Sequence, residues 1–269
     1  MQLFIGFFTA VLIAYVAFRL RSLTGSGAIA AIAIGTIIFG IGGWQWAILL
    51  LTFFISSSAL TRIYKNRNSG SEDFYAKGGQ RDAGQVLGNG LVAAFFVLSR
   101  GTLFDGDLAW VCFATALAAV NADTWATELG GLSSSRPRLI TNLAVSVEKG
   151  TSGGVSSVGT SAAFFGSALI GLEGALLSPS GLDWNLFLPI TLAGFAASMF
   201  DSILGASVQA MFYCPVDKKQ TEKHPKHSCG TTTKHIRGLK WLNNDRVNLL
   251  ASASGLIIIL PWLSFTNGF

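Results

Sequence analysis

Charged residues are scarce in this chain of 269 residues, where Asp, Glu, Lys and Arg together account for 12%. A soluble globular domain usually carries about 25%, whereas 51% of these residues are hydrophobic. This balance excludes an ordinary soluble domain, and it also means that the net charge of +5 is not a nucleic-acid-binding signal. We predict a polytopic membrane protein that forms one domain over residues 1–269.

Several motifs of well-known enzymes are also missing. The sequence has no G-x-x-x-x-G-K-[ST] phosphate loop, no dinucleotide-binding glycine fingerprint and no Ser/His/Asp order typical of a hydrolase. The first apolar segment is not a typical signal peptide either. It has no basic residues before it, and Arg19 and Arg21 follow it.

Eight apolar segments are visible, and most approach the ~20 residues that a helix needs to cross a bilayer. Two of them, 27–42 and 86–99, are short, so each is predicted to be tilted, paired as a half-helix or re-entrant. The predicted fold is an all-α membrane bundle of seven or eight transmembrane helices. The segments are 2–18, 27–42, 44–60, 86–99, 108–126, 155–177, 186–212 and 247–266.

The basic residues predict the orientation of the bundle. If the N-terminus lies outside, the inner loops are 19–26, 61–85, 127–154 and 213–246, and they hold 18 of the 19 Lys and Arg residues. Arg100 is then the one basic residue on the outer side, in agreement with the positive-inside rule. We therefore predict a multi-pass integral membrane protein, in the cell membrane if the source is a prokaryote, with long cytoplasmic loops and the active site on the cytoplasmic face.

Carboxylates lie at the end of the fifth apolar segment and within the seventh. The motif Asn121-Ala-Asp-Thr-Trp-Ala-Thr-Glu ends the fifth, and on a helix Asn121, Asp123 and Glu128 share one broad arc. Asp201 lies on a polar stripe of the seventh. Ionisable groups at membrane depth are costly and rarely face lipid, and clustered carboxylates suit Mg²⁺. A polar helix end, or an Asp bonded across helices, would give the same pattern without a metal.

Two inner loops have the composition of anion-binding sites. Lys77-Gly-Gly-Gln-Arg81 precedes the segment that contains Asn89, and Lys149-Gly-Thr-Ser precedes another segment. Glycines allow close approach of the backbone, and helix N-termini attract phosphate groups. A flexible basic loop or a Gly/Ser linker is the alternative for each.

The loop 213–240 contains a group of potential metal ligands. Cys214, Asp217, His227 and Cys229 have a spacing that is compatible with a four-ligand zinc site. A solvated basic loop is the alternative, because Asp is a poorer zinc ligand than Cys. A disulfide is not expected in a cytoplasmic loop, and the third cysteine, Cys112, is predicted to be a core residue.

Taken in chain order, these motifs resemble the phytyl-phosphate kinase family of plant plastids and cyanobacteria, which includes the human transmembrane protein 19. In that family the last loop often carries Cys-x-x-Cys and a later His–Cys pair, whereas Asp217 occupies the second Cys position here. The matching elements extend over nearly the whole chain. They are Lys77-Gly-Gly-Gln-Arg-Asp, Gln85-Val-Leu-Gly-Asn-Gly, Asn121-Ala-Asp-Thr-Trp-Ala-Thr-Glu-Leu-Gly, Glu148-Lys-Gly-Thr-Ser-Gly-Gly-Val-Ser, Asp201-Ser-Ile-Leu-Gly-Ala and Asn244-Asp-Arg-Val-Asn.

The resemblance implies a membrane kinase that transfers a phosphoryl group from a nucleoside triphosphate, with CTP expected, to a prenyl monophosphate. The implied partners are these two substrates and the lipid bilayer, with no nucleic acid, and the expected cofactor is Mg²⁺. Zinc is a second candidate metal on the spacing of its four ligands, not on the resemblance, from which Asp217 departs. The expected roles are Mg²⁺ binding by Asp123, Glu128 and Asp201, phosphate binding by Lys77 and Arg81, nucleotide binding by Lys149, Thr151 and Ser152, and substrate positioning by Asn89, Asn121, Asp245 and Asn248.

Two other functions are compatible with the same residues. A cytidylyltransferase acting on a lipid phosphate would use the same nucleotide and similar acids. A transporter or flippase would also carry polar residues inside the membrane. The clustering of these residues toward one face of the membrane argues against a transport path, which would need polar residues along its whole length.

Overall fold

The computed structural model describes residues 1–64 and 79–267, with side chains up to residue 264. Within these ranges eight α-helices form most of the structure, which confirms the predicted all-α membrane bundle. The helices are α1 Gln2–Arg19, α2 Gly25–Ile37, α3 Trp44–Tyr64, α4 Ala83–Ser99, α5 Gly106–Gly130, α6 Ser157–Leu176, α7 Phe187–Ser207 and α8 Asn244–Asn267.

Seven of the described helical spans are long and apolar enough to cross a membrane. The two segments that the sequence marked as short behave differently. Helix α2 continues through a π-helical turn, Ile38–Gly42, and so reaches 18 residues as a span. Helix α4 remains short, at 17 residues. The predicted segment 186–212 is divided, because α7 ends at Ser207 and a strand begins at Met211.

Helix α5 is the centre of the bundle. Every residue from Ala109 to Ala122 is buried, and α5 packs against α3, α4, α6, α7 and α8. Small residues at helix contacts allow backbones to approach closely inside a membrane, and much of this stretch is alanine. Helix α1 lies at the periphery, against α2 and its π-helical turn.

Two small antiparallel sheets lie between the helices, mostly in segments that the sequence analysis treated as loops, although β3 and β4 overlap the ends of two predicted apolar segments. The first has the order β2–β1–β3 and the second the order β5–β4–β6. The strands are β1 Arg138–Leu139, β2 Asn142–Ser146, β3 Gly154–Val155, β4 Met211–Cys214, β5 Lys219–Thr221 and β6 Lys234–Arg237.

The two ends of the bundle differ in chemistry. At the end that carries both sheets, long polar side chains form hydrogen bonds between separate segments. For example, Arg62 Nη2 donates to the Leu20 carbonyl at 2.5 Å. At the opposite end Trp46, Trp110 and Phe113 form an aromatic cluster, in which Trp46 and Trp110 meet edge-to-face with ring centroids 5.1 Å apart. We call these the polar end and the aromatic end. That the polar end faces the cytoplasm remains a prediction from the charges.

Gly194 of α7 marks a tight junction between α5, α6 and α7. A Cβ atom at this position would lie 2.5 Å from both Ala118 Cβ and Ser167 Oγ. A larger residue would therefore force these three helices apart.

We expect Gly194→Ala to destabilise the bundle by about 1–3 kcal/mol, the usual cost of overpacking a well-packed core. Gly25→Ala is the matched control, because a Cβ atom at Gly25 would meet nothing within 4 Å. The measurement is thermal unfolding of both variants in the same detergent. Equal melting temperatures for the two variants would contradict the close packing at Gly194.

Candidate functional site

A cleft of about 550 Å³ opens at the polar end of the bundle. It is formed by the ends of α3, α5 and α7, the beginnings of α4, α6 and α8, and the segment 148–156. Most of the predicted site residues line it, although they come from five separate parts of the chain. They are Arg81, Asn89, Asp123, Glu128, Lys149, Thr151, Ser152, Asp201, Asp245 and Asn248.

Of the other two residues predicted for this site, the structure describes only Asn121, which does not line the cleft. Lys77 lies outside the described residues. Asn121 is buried, and its Nδ2 donates to the Gly166 carbonyl at 2.7 Å while its Oδ1 accepts from Ser56 Oγ at 3.2 Å. Because helix residues two positions apart differ by about 200°, Asn121 points away from Asp123 and joins α5 to α6 and α3. Its amide therefore serves helix packing, in contrast to the predicted substrate-orienting role.

Asp123 and Asp201 are the acidic pair of the cleft. Asp201 is only 8% exposed, and the charges of Asp123 and Glu222 both act on it. Its buried Oδ2 accepts no hydrogen bond from the described residues. Buried carboxylates that repel one another are stabilised by a cation or by hydrogen-bond donors, so this pair is the part of the cleft best suited to a divalent cation.

Glu128 lies toward a different wall. Its Oε1 accepts from Thr61 Oγ1 at 2.5 Å, and its charge acts on Arg81. Among the described residues, the group of potential ligands whose atoms converge lies at the second sheet, and Asp123, Glu128 and Asp201 are not part of it. The three predicted Mg²⁺ ligands thus share the cleft without forming a closed cage, an arrangement that suits Mg²⁺, which keeps several waters and binds substrate phosphates.

Arg81 is the cation that faces Glu128. Burial lowers the pKa of Arg81 to about 10, and the negative charge of Glu128 opposes this shift. The guanidinium group is therefore still protonated at neutral pH. Its Nη1 donates to Ser58 Oγ at 3.1 Å, and its Cζ lies 5.6 Å from the ring centroid of Phe53. These contacts hold the cation in place beside the cleft.

The glycine-rich segment after Lys149 packs directly on the end of α7. Gly153 has φ +80°, and a Cβ atom there would lie 2.5 Å from the Ala206 backbone nitrogen. Ser152 Oγ donates to Gln209 Oε1 at 2.9 Å, and Gln209 Nε2 donates to Glu222 Oε1 at 2.7 Å. The segment is therefore an ordered wall of the cleft, held close to Asp201.

Lys149 lines the cleft, but its ammonium group also has backbone partners. Its Nζ donates to the Gly131 carbonyl at 3.1 Å and to the Ser133 carbonyl at 2.6 Å. A cation at the C-terminal end of a helix is stabilised by the helix dipole. Lys149 therefore anchors its loop to the end of α5 as well as contributing positive charge to the cleft.

Three helices begin at the cleft. Asp82 and Gln85 form a capping box at α4, Ser156 Oγ accepts from Gly159 N at 3.1 Å at α6, and Asn243 Oδ1 accepts from Arg246 N at 3.2 Å at α8. Helix N-termini carry partial positive charge and favour anions. The cleft thus combines acids on α5 and α7 with three helix ends that suit phosphate.

Asn89 and Asn248 connect two of these helices inside the cleft. Asn248 Nδ2 donates to Asn89 Oδ1 at 3.1 Å, which supplies a partner for an amide within the apolar helix α4. At Gly88, the residue before Asn89, a Cβ atom would lie 2.6 Å from the Asp245 carbonyl oxygen. Gly88 therefore lets the beginning of α8 approach α4 and brings Asp245 and Asn248 to the cleft.

The sequence analysis did not identify Glu222 and Thr61, which also line the cleft. Glu222 is an acidic residue in a loop rich in lysine, a weak signal in the sequence. Thr61 lies at the end of α3 and has no such signal, because its role depends on its contact with Glu128 across the bundle.

The four predicted zinc ligands lie together at the second sheet. Their ligand atoms are all within 4.8 Å of one another, with 3.5 Å between the Sγ atoms of Cys214 and Cys229 and 2.7 Å between Asp217 Oδ2 and His227 Nδ1. Hydrogen bonding to Thr231 lowers the pKa of Cys229, and hydrogen bonding to Cys229 lowers the pKa of Asp217.

The family model for the integral membrane protein family DUF92 matches residues 8–256. This chain belongs to that family. The match covers the cleft and the second sheet, and it agrees with the family resemblance seen in the motifs. No solved structure matches the chain.

Curated relatives extend over most of the chain. Protein PGR of Arabidopsis thaliana is 36% identical over 262 residues, covering 89% of this chain and 88% of the relative. The membrane protein MJ0933 of Methanocaldococcus jannaschii is 32% identical over 260 residues, covering 96% of this chain and 92% of the relative. The chloroplastic protein VTE6 of Arabidopsis thaliana is 26% identical over 248 residues, covering 90% of this chain and 66% of that protein.

We expect Mg²⁺ to raise the melting temperature of the purified protein. The rise should be about 2–4 °C for each kcal/mol by which Mg²⁺ binding stabilises the folded state. Asp201→Asn should abolish this response, because a cation ligand is lost, without lowering the stability in the absence of Mg²⁺, because a repulsion is removed. Asp107→Asn is the control, since Asp107 is exposed at the aromatic end, where it accepts from Ser180 Oγ. An unchanged Mg²⁺ response in Asp201→Asn would show that Asp201 is not a ligand.

Proposed function

We propose that this protein is an isoprenoid-monophosphate kinase that uses a nucleoside triphosphate, with CTP as the proposed donor, to convert a prenyl monophosphate into the diphosphate. The observation that carries this proposal is the meeting of an acidic pair, two cations, a glycine-rich segment and three helix N-termini in one cleft at an end of a membrane bundle. Phosphoryl transfer depends mainly on positioning and charge neutralisation, and these are the features that the cleft provides.

The proposed reaction requires little proton chemistry from the protein. An oxygen of the prenyl phosphate attacks the γ-phosphorus of the nucleotide, and the bond from that phosphorus to the β-phosphate oxygen breaks, which releases the nucleoside diphosphate. The acceptor is already an anion, so no strong general base is needed. Bound Mg²⁺ would neutralise charge on the phosphates, and Asp123 and Asp201 are the residues proposed to hold it, with Glu128 contributing from the opposite wall.

The two substrates are proposed to occupy opposite sides of the cleft. The donor side is the segment with Lys149, Thr151 and Ser152 together with the beginning of α6, because backbone N–H groups, hydroxyls and a cation favour a polyphosphate. The acceptor side is Arg81 and α4. Leu87 and Leu91 are exposed on α4, and they provide an apolar surface for a prenyl tail in the bilayer.

Two observations favour a kinase over a transport protein. The polar residues of the cleft lie at one end of the bundle, and the other end is filled by the aromatic cluster of Trp46, Trp110 and Phe113. A transport path would need polar or mobile contacts across the whole bundle.

The test is an activity matrix on the purified protein in lipid, in which prenyl phosphates of different lengths are combined with CTP, ATP, GTP and UTP and the products are identified by mass. We expect a prenyl diphosphate and a nucleoside diphosphate. Release of pyrophosphate with a nucleotide–lipid product would identify a cytidylyltransferase instead. Substrate flux across proteoliposomes without nucleotide turnover would identify a transporter.

Asp123→Asn should abolish nearly all activity, because it keeps the size of the side chain and removes the charge that is proposed to bind Mg²⁺. Insertion and melting temperature should be close to wild type. Asp107→Asn should keep full activity, since Asp107 lies at the aromatic end. The measurement is the initial rate of diphosphate formation in matched liposomes, and full turnover by Asp123→Asn would remove Asp123 from the metal site.

Lys149→Ala should raise the KM for the nucleotide about ten-fold or more, the effect of losing one hydrogen bond to a charged group, with the KM for prenyl phosphate unchanged. Lys149→Arg should largely restore the nucleotide KM, and Lys240→Ala, an exposed residue outside the cleft lining, should match wild type. If Lys149 serves only as an anchor for α5, Lys149→Ala will lower the melting temperature and leave both KM values unchanged.

A further inference from the structure

We propose that Cys214, Asp217, His227 and Cys229 bind one structural Zn²⁺ ion, separate from the cleft chemistry, and that this ion holds the cleft wall formed by Glu222, Gln209 and Ser152. The inference does not depend on the proposed kinase activity. It starts from the convergence of four ligand atoms within 4.8 Å, contributed by three short stretches of the second sheet and its loop.

The distance between the two cysteine sulfur atoms of this group suits a tetrahedral metal. Two thiolates that bind one zinc ion at about 2.3 Å are about 3.8 Å apart, and the Sγ atoms of Cys214 and Cys229 are 3.5 Å apart. A disulfide would need about 2.05 Å, and all three cysteines are free. The backbone N–H of Asp217 lies 3.5 Å from Cys214 Sγ and donates to it, a contact that helps to orient a ligating thiolate.

The other two histidines near this group, His224 and His235, make different contacts. His224 stacks on Phe212, with ring centroids 4.4 Å apart and an interplanar angle of 12°, and His235 meets the same ring edge-on at 5.5 Å. These two histidines are therefore occupied by packing on an aromatic ring. His227 alone among the three turns toward the cysteines, and its residue is only 5% exposed.

Four protein ligands leave no open position on a tetrahedral zinc ion, so the expected role is structural. The ion would join the end of β4, the turn before β5 and the segment 227–229. This part of the fold has few buried apolar side chains of its own, and a metal can replace the missing core in such a small unit.

The sheet connects this site to the cleft. Strand β5 ends at Thr221, and the next residue, Glu222, accepts from Gln209 Nε2 at 2.7 Å. Gln209 in turn accepts from Ser152 Oγ at 2.9 Å. Loss of the metal should therefore loosen the position of Glu222 and, through Gln209, the glycine-rich segment, without removing any group from the cleft.

The first test measures the metal content of the full-length protein, purified in detergent without added metal or substrate. We expect about one zinc ion per chain, and after exchange with Co²⁺ we expect a thiolate-to-cobalt charge-transfer absorption. Cys229→Ser and His227→Ala should each weaken zinc retention against a chelator by at least about ten-fold, since loss of an outer-shell partner alone costs about 10–100-fold. Cys112→Ser and His235→Ala are the matched controls and should retain the ion.

Asp217 gives a sharper test, because a carboxylate here replaces the thiolate that would complete a more usual zinc site. Asp217→Cys should retain zinc at least as tightly as wild type, whereas Asp217→Ala should lose it more easily. Amide hydrogen exchange over residues 211–237 should increase in the metal-free protein. The proposal would be overturned if the wild-type protein contained no zinc and gave no cobalt spectrum, or if Cys229→Ser kept its full zinc content. Neither result depends on kinase activity.

Discussion

The burial of α5 on all sides is the constraint on which the rest of this structure depends. A helix that touches five others has no face for lipid, so its polar last turns must find partners in the protein. Asn121 bonds to the backbone of α6, and Glu128 bonds to Thr61 of α3. Asp123 instead lines the cleft, beside Asp201.

The electrostatics of the cleft follow from the direction of the helices. Asp123 and Asp201 lie in the C-terminal halves of α5 and α7, about two turns before these helices end. The beginnings of α4, α6 and α8 carry partial positive charge, and they line the same cleft. The acids and the helix N-termini thus line the same cleft. A divalent cation would compensate the charge of the acids, and bound phosphates would compensate the partial positive charge of the helix N-termini.

The sequence identified the helices and most of the cleft residues because both signals are local. Apolar runs mark the helices, and a carboxylate such as Asp201 stands out within one. The helical period separates Asn121 from Asp123 by about 200°, but the partners of its amide could not be predicted, because they depend on which helices lie beside α5. The partners of Lys149 and the place of Glu222 depend on contacts between distant segments. Strands of two to five residues, whose pairing is decided by the surrounding helices, also leave little trace in the sequence.

The bond between Asn89 and Asn248 joins residues that are 159 positions apart, and it has a consequence for biosynthesis. Helix α4 is synthesised long before α8. The Asn89 amide therefore has no Asn248 partner until α5, α6, α7 and α8 have been made. The wall that α8 contributes to the cleft is absent until then. A nascent chain therefore has no complete cleft before α8 is inserted.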